Sequence, residues 1–161
     1  MEWQIWAAVR EQTQRCVTVA GIDPQQREAA MPDRTTTSSL LDAVERYFDL
    51  MFDSEVSRFD RVFASSAQLH GLRDGNLRVL SAQEYRKVLA SGPSPQSRSA
   101  PRQQEILLVD FASPTQAVVK VRVRIDTLVY LDYLSYHCIN NAWLITSKSF
   151  HVEHRYEAAK S

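Results

Sequence analysis

The 161-residue sequence contains few cysteines and glycines, and it lacks the run of about 20 apolar residues that a membrane-spanning helix needs. Its two cysteines, Cys16 and Cys138, are far apart and belong to no CxxC or Cys/His pattern of the zinc type. The start Met1-Glu2-Trp3 does not have the basic and then apolar character of a secretory signal. We therefore expect a cytoplasmic protein with reduced thiols, and we expect no membrane segment, metal or cofactor.

The sequence also lacks net charge and the common catalytic motifs. Nineteen Lys and Arg residues balance nineteen Asp and Glu residues, so no global field attracts nucleic acid. The sequence contains no G-x-S-x-G, P-loop, dinucleotide-binding or H-E-x-x-H motif. Composition therefore predicts an ordinary globular domain and identifies no reaction.

Three regions differ in composition. Residues 1–34 are predicted to be an N-terminal extension and linker, in which Trp3, Trp6 and Val9 have helical spacing. Residues 35–155 are predicted to form one domain, and residues 156–161 a C-terminal tail. The polar residues 34–38 are interpreted as linker before the first helix.

Helical patterns dominate the first half of the domain. Apolar residues at i, i+3 and i+4 predict one helix from about Leu40 to Phe52 and a second from Ser54. Two short apolar runs flank residues 73–76, in which Asp-Gly favours a hairpin. Ser81 and Glu84 have capping-box spacing and predict a third helix to Ala90. Residues 91–102 hold three of the six prolines and are predicted to be a mobile surface loop.

The final third of the sequence is typical of β-structure. Four runs rich in Val, Ile, Leu and Tyr are separated by short turns, and they cover residues 104–111, 115–125, 128–139 and 142–152. Three consecutive hairpins make an antiparallel meander. The fold class is therefore α+β, with a curved antiparallel sheet of four long strands plus a short hairpin wrapped around three helices.

The order of these elements resembles the nuclear transport factor 2-like superfamily over about residues 38–152. Short motifs resemble its putative lumazine-binding branch, among them Tyr47-Phe48, Asp132-Tyr133-Leu134-Ser135, Asn141-Ala142-Trp143-Leu144-Ile145 and Lys148-Ser149-Phe150. The resemblance implies a cone with an internal pocket, and dimers that form through the sheet. Where relatives commonly have His-Pro-Asp after a phenylalanine, this chain has Phe63-Ala64-Ser65, so a histidine at position 64 is absent. The superfamily contains both enzymes and non-catalytic members, so the fold does not decide the reaction.

Turn lengths predict which side chains share a sheet face. Two-residue turns at Asp126-Thr127 and Asn140-Asn141 pair residues whose numbers sum to 253 and 281. Both registers place Asp132 on an apolar inner face. The residues predicted to line a pocket are Tyr47, Tyr85, Leu134, Trp143 and Ile145.

Asp132 is the main catalytic candidate, with Tyr136 beside it. Desolvation among apolar neighbours would raise the pKa of Asp132 toward the range of a general acid or base, and Tyr136 would donate to a ligand oxygen. In the alternative interpretation neither side chain is catalytic: Asp132 is neutralised by a hydrogen bond or is solvated at the entrance of the pocket, and Tyr136 is an ordinary core tyrosine.

The outer face combines cations with apolar residues, which favours an interface. We expect a homodimer through Tyr133, Leu144, Lys148 and Phe150. Nucleic acid is the alternative partner for the cations Lys120, Arg122, Arg124 and Lys148, and the zero net charge disfavours it.

The predicted function is binding of an unknown small, partly apolar ligand by a dimeric pocket protein. The alternative is an isomerase- or dehydratase-like enzyme in which Asp132 moves a proton and a tyrosine, Tyr136 or Tyr85, polarises a carbonyl.

Overall fold

A computed structural model describes residues 32–73 and 75–157, with the side chain of Arg73 excepted. The predicted helix around Trp3 and Trp6, the turn residue Asp74 and the last four residues of the tail lie outside the described residues. The proposed domain boundaries at residues 35 and 155 stay predictions.

Helix α1 spans Arg34–Asp53 and begins earlier than the sequence pattern indicates. Asp33 caps it by accepting a hydrogen bond from the backbone N–H of Thr36 at 2.6 Å. Residues 34–38 are therefore helical, and their interpretation as a linker was wrong because the cap lies before them. Ser54 ends the helix in the left-handed conformation, with φ of 57°.

The predicted second helix is a short 3-10 helix, Val56–Arg61. It ends because the Val62 carbonyl accepts a hydrogen bond from Ile145 N–H at 2.8 Å, and strand β1 then spans Phe63–Arg73. Strand β2 is Asn76–Ser81, and β1 and β2 form the predicted hairpin. Helix α2 is Ala82–Ala90, and its capping box is confirmed.

The four remaining strands form the predicted meander. They are β3 (Gln104–Ser113), β4 (Gln116–Ile125), β5 (Leu128–Ile139) and β6 (Ala142–Arg155). The six strands lie in the order β2-β1-β6-β5-β4-β3. β1 pairs with β6 in parallel, whereas the other pairs are antiparallel, so the sheet is mixed. The α+β fold class is confirmed.

The register between β4 and β5 is confirmed along its whole length, from Gln116–His137 to Ile125–Leu128. The register between β5 and β6 follows the prediction only as far as the Tyr136–Ile145 pair. A bulge at Thr146 then pairs Ser135 with Ser147. Each residue from 147 to 152 consequently faces the side opposite to the predicted one.

The bulge reverses two assignments. Lys148 pairs with Leu134, and Phe150 pairs with Asp132, so both side chains lie on the inner face. Their predicted place on the outer face was wrong because one extra residue changes the alternation. A second irregularity after Val152 brings Arg155 opposite Leu128.

The core lies between the apolar stripe of α1 and the inner face of the sheet. Fully buried residues with the largest side chains include Tyr47, Phe48, Phe63, Leu134, Tyr136 and Ile145. Among the described residues, no helix has the length and apolar character to cross a membrane.

The loop of residues 91–102 contacts both α1 and the β4–β5 turn. Pro95 is buried, and the Gln96 N–H donates to the Phe52 carbonyl at 3.0 Å. Arg98 pairs with Asp126 at 2.5 Å, and Arg102 pairs with Asp49 at 2.8 Å. These contacts anchor a segment that contains neither helix nor strand.

Candidate functional site

Asp132 lies at the centre of the candidate site, on the inner face of β5. Its side chain is completely buried. The hydroxyl of Tyr47, from α1, donates to Asp132 Oδ2 at 2.5 Å, and Lys148 Nζ, from β6, lies 3.0 Å from the same oxygen. Three separate elements therefore bring their polar groups to one point.

Lys148 is the second buried charge, with only 3% of its surface exposed. Its ammonium donates to the Tyr47 hydroxyl at 2.7 Å as well as contacting Asp132. It also lies 5.1 and 5.6 Å from the ring centroids of Tyr47 and Tyr85, within cation–π distance. An ammonium has three N–H donors, so one is left for Tyr85 or for an acceptor in the neighbouring cleft.

Burial and the Asp132 charge shift the pKa of Lys148 in opposite directions and the pKa of Tyr47 in the same direction. Burial alone lowers the pKa of Lys148, but the Asp132 carboxylate and the surrounding tyrosines together raise it. Burial, reinforced by Asp132, holds the pKa of Tyr47 well above its ordinary value. Lys148 is therefore a cation and Tyr47 a neutral donor at neutral pH.

Tyr136 shares the inner face of β5 but does not join the cluster. It lies four residues from Asp132, or about 13 Å along an extended strand. Burial raises the pKa of its hydroxyl, which has no hydrogen-bond partner among the described residues. Asp132 and Tyr136 are therefore too far apart to act on one small carbonyl, and Tyr47 is the tyrosine that contacts Asp132.

A cleft of about 530 Å³ lies beside Lys148. Residues of the β1–β2 hairpin, α2, the β4–β5 turn region and the second half of β6 line it: Leu69, Leu72, Arg78, Leu80, Tyr85, Val88, Leu89, Ile125, Leu128, Tyr130, Lys148, Phe150, Val152 and Arg155. Of the predicted pocket residues, Tyr85 lines this cleft. Tyr47, Leu134, Trp143 and Ile145 belong instead to the packed core, because α1 covers that part of the inner face.

A second depression, of about 710 Å³, lies on the other side of the sheet around Arg122. Arg122 forms ion pairs with Glu105 and Glu153 at 2.5 and 2.7 Å. The charge of Arg122 at the centre of this depression is thus compensated by two carboxylates of the protein itself. We therefore assign no ligand to the depression.

The bulge leaves only two of the four predicted interface residues, Tyr133 and Leu144, on the outer face of the sheet. Tyr133 remains on the outer face, 46% exposed, and Lys120 Nζ lies 5.2 Å from its ring centroid. Leu144 is partly buried on the same face, opposite His137.

Lys148 is the site residue that the sequence interpretation missed. A signal for it was present in the apolar pattern of β6. Trp143 and Ile145 are odd-numbered, whereas Phe150 and Val152 are even-numbered, and such a change of alternation within a strand is typical of a bulge.

The described residues contain no cluster of three or more His, Cys, Asp or Glu side chains that could hold a metal ion. Cys138 is a free, partly buried thiol.

Comparisons with known proteins agree on the fold. The structure is similar to a nuclear transport factor 2-like protein of unknown function from Silicibacter pomeroyi, with a TM-score of 0.64 and 19% identity over 76% of this chain and 100% of the other. A nuclear transport factor 2-like protein from Shewanella baltica has a TM-score of 0.66 and 17% identity over 76% of this chain and 98% of its own. A third, from Methylobacillus flagellatus, has a TM-score of 0.66 and 16% identity over 78% of this chain and 98% of its own. These likenesses establish the fold alone.

No curated protein matches this sequence. The family model described as putative lumazine-binding matches residues 35–151, which is most of the chain and includes Tyr47, Asp132 and Lys148. The chain therefore belongs to the putative lumazine-binding family, with the nuclear transport factor 2-like fold.

Proposed function

We propose that this domain binds a small, partly apolar molecule in the cleft beside Lys148. The observation that carries the proposal is a buried ammonium lining a cleft whose walls are mostly aliphatic and aromatic. A buried ion pair loses much hydration energy, and apolar residues of similar volume often replace one without loss of stability. A ligand acceptor that bonds to Lys148 gives this charge a function.

The size of the cleft fits the proposal. Small-molecule sites are commonly about 300–1,000 Å³, mostly apolar, with a few polar groups that orient the ligand. In this cleft the polar groups come from Lys148, Tyr85 and Tyr130. Leu69 and Leu80 form part of its apolar wall. The family description also refers to a small-molecule ligand, which agrees with this class.

The test uses Prodan, a neutral fluorescent naphthyl ketone with an apolar body and one strong acceptor. We expect it to bind and to shift the amide NMR signals of cleft residues such as Leu80 and Leu89, but not those of the outer-face residue Tyr133. The double variant Asp132→Asn/Lys148→Met removes both buried charges together and should weaken Prodan binding about fivefold, as expected for one lost hydrogen bond. Lys120→Met, on the outer face, is the matched control. Absence of binding, or amide shifts confined to other surfaces, would overturn the proposal.

A second candidate function is that of an isomerase- or dehydratase-like enzyme in which Asp132 is the general base or acid. It is favoured by Asp132 Oδ1, which has no hydrogen-bond partner among the described residues. A base must also come within reach of the proton that it abstracts. The cleft is lined by Lys148, whereas Asp132 is fully buried and is not among its lining residues. We therefore rank binding first.

We also propose that the outer face forms a homodimer through Tyr133 and Leu144. Exposed apolar residues on neighbouring strands, Leu108 and Val118, extend this surface. Light scattering should show a dimer that Tyr133→Glu/Leu144→Glu converts to a monomer with unchanged Prodan affinity. A monomeric wild-type protein at tens of micromolar would contradict the dimer without affecting the binding proposal.

A further inference from the structure

The charged residues that line the cleft all have the same sign. Among the described residues they are Arg78, Lys148 and Arg155, and no Asp or Glu belongs to this described lining. This asymmetry is local, because the whole chain has a formal net charge of zero.

The three cations differ in how their charge is compensated. Lys148 is paired with Asp132 at 3.0 Å, so the buried end of the cleft is nearly neutral. Arg78 and Arg155 are exposed, and no carboxylate of the described residues forms an ion pair with either. Within the described part of the chain, the positive charges without an ion-pair partner therefore lie at the exposed end of the cleft, which we call its mouth.

Strand β6 runs from the buried end of the cleft to its mouth. Along it, Lys148 is buried, Phe150 is half-buried, Val152 is 36% exposed and Arg155 is exposed. The irregularity after Val152 gives Arg155 its place opposite Leu128, another cleft residue. A strict alternation would have put residue 154 there instead.

Arg78 reaches the same cleft from the other side. It lies on β2 opposite Gly71, and Gly71 in turn lies beside Phe150 of β6. The two arginines thus belong to different strands, separated by β1. The β5 partners of Lys148 and Arg155 are Leu134 and Leu128, six positions apart, so roughly 20 Å of sheet separates the two cations, which favours an elongated ligand.

Building on the proposed function, we propose that the ligand is an elongated anion with two distinct ends. Its inner end is a neutral acceptor, such as a carbonyl or ring nitrogen, that bonds to Lys148. Its body is apolar and contacts Leu69, Leu80 and Phe150. Its outer end carries an anionic group, such as a carboxylate, that pairs with Arg78 and Arg155.

A matched pair of fluorescent probes tests the anionic end. N-phenyl-1-naphthylamine is neutral, and 1-anilinonaphthalene-8-sulfonate has the same aromatic skeleton with a sulfonate. We expect the sulfonate to bind about tenfold more tightly at low salt, because two exposed ion pairs contribute modestly. This preference should decrease as salt is raised.

Substitutions of Arg78 and Arg155 then test whether the preference for the sulfonate probe arises at the mouth of the cleft. Arg78→Gln/Arg155→Gln should abolish the sulfonate preference and leave the neutral probe's affinity unchanged. Lys120→Gln/Arg122→Gln removes the same charge from the outer face and should retain the preference. Equal affinities for the two probes in the wild-type protein, or a preference that survives the cleft variant, would overturn the anionic ligand while leaving the proposed function intact. Failure of Prodan and both naphthyl probes to bind would overturn the proposed function itself.

Discussion

Lys148 Nζ lies 3.0 Å from Asp132 Oδ2, although an uninterrupted pairing of β5 and β6 would place these side chains on opposite faces of the sheet. The bulge at Thr146 makes the contact possible. One extra residue thus converts an expected surface lysine into a buried partner for the carboxylate. The site depends on this irregularity as much as on the residues themselves.

Removing one member of the buried pair should cost much more than removing both. Lys148→Met leaves the Asp132 carboxylate buried without its cation, and we expect a loss of about 3–5 kcal/mol in the free energy of unfolding. Asp132→Asn should be destabilising for the converse reason. In Asp132→Asn/Lys148→Met the loss should be well below the sum of the single losses.

Urea unfolding of the four proteins measures this double-mutant cycle. The exposed pair Arg122 and Glu153 on the same sheet is the control and should show a far smaller coupling. If the loss of unfolding free energy in the double variant equals the sum of the losses in the two single variants, the contact between Asp132 and Lys148 contributes nothing to stability.

The sequence predicted much of this site because the turns follow simple rules. Asp126, Asn140 and Asn141 adopt positive φ in the two short turns, as their residue types favour, and the register beside each turn is the predicted one. The buried position of Asp132 follows from the first register alone. The partner Lys148 does not, because the register set by the second turn changes at the bulge at Thr146, and the turn residues carry no information about that change.

The helix boundaries show the same division between local and distant causes. The capping box at Ser81 is a contact between near neighbours and was predictable. The early end of the second helix was not, because it depends on a hydrogen bond between Val62 and Ile145, which are 83 positions apart in the sequence.

Stability should fall in alkaline solution because of the same cluster. The pKa of Tyr47 is raised in the folded state from an ordinary value of 10.0, and that of Lys148 from 10.5. The unfolded chain therefore releases these protons at lower pH than the folded chain, so the folded state loses stability as pH rises above about 10. Tyr47→Phe should make this loss shallower.

The measurement is urea unfolding between pH 8 and 11. Tyr133→Phe is the control, since it removes an exposed tyrosine hydroxyl from the outer face. An identical pH slope for the wild-type protein and Tyr47→Phe would contradict the contribution of Tyr47.

The loop of residues 91–102 should resist trypsin, contrary to the expectation of a mobile segment. Arg98 and Arg102 are tied to Asp126 and Asp49, and Pro95 is buried. Cleavage requires the chain to leave these contacts. Mass spectrometry should therefore show slow cleavage after both arginines.

Asp49→Asn/Asp126→Asn removes both carboxylates and should accelerate these two cuts severalfold, and Asn tolerates the positive φ of position 126. Asp60→Ala removes the partner of Arg86 on α2 and should leave the loop cuts unchanged. Rapid cleavage of the wild-type loop would show that the ion pairs do not hold it.

Gly71→Ala should close part of the cleft while the domain stays folded. A Cβ atom at Gly71 would collide with the ring of Phe150, which lines the cleft. The ring is only half-buried, so it can move away from β1 into the cleft, and the loss of unfolding free energy should be near the lower limit for overpacking, about 1 kcal/mol. The displaced ring occupies ligand volume, so the loss in the free energy of Prodan binding should exceed the loss in the free energy of unfolding.

Gly92→Ala is the control. It places a methyl group in open space and should change neither free energy. Unchanged Prodan affinity in Gly71→Ala, with the shift of Phe150 confirmed by its ring NMR signals, would show that the ligand does not contact this wall and would restrict binding to the Lys148 end of the cleft.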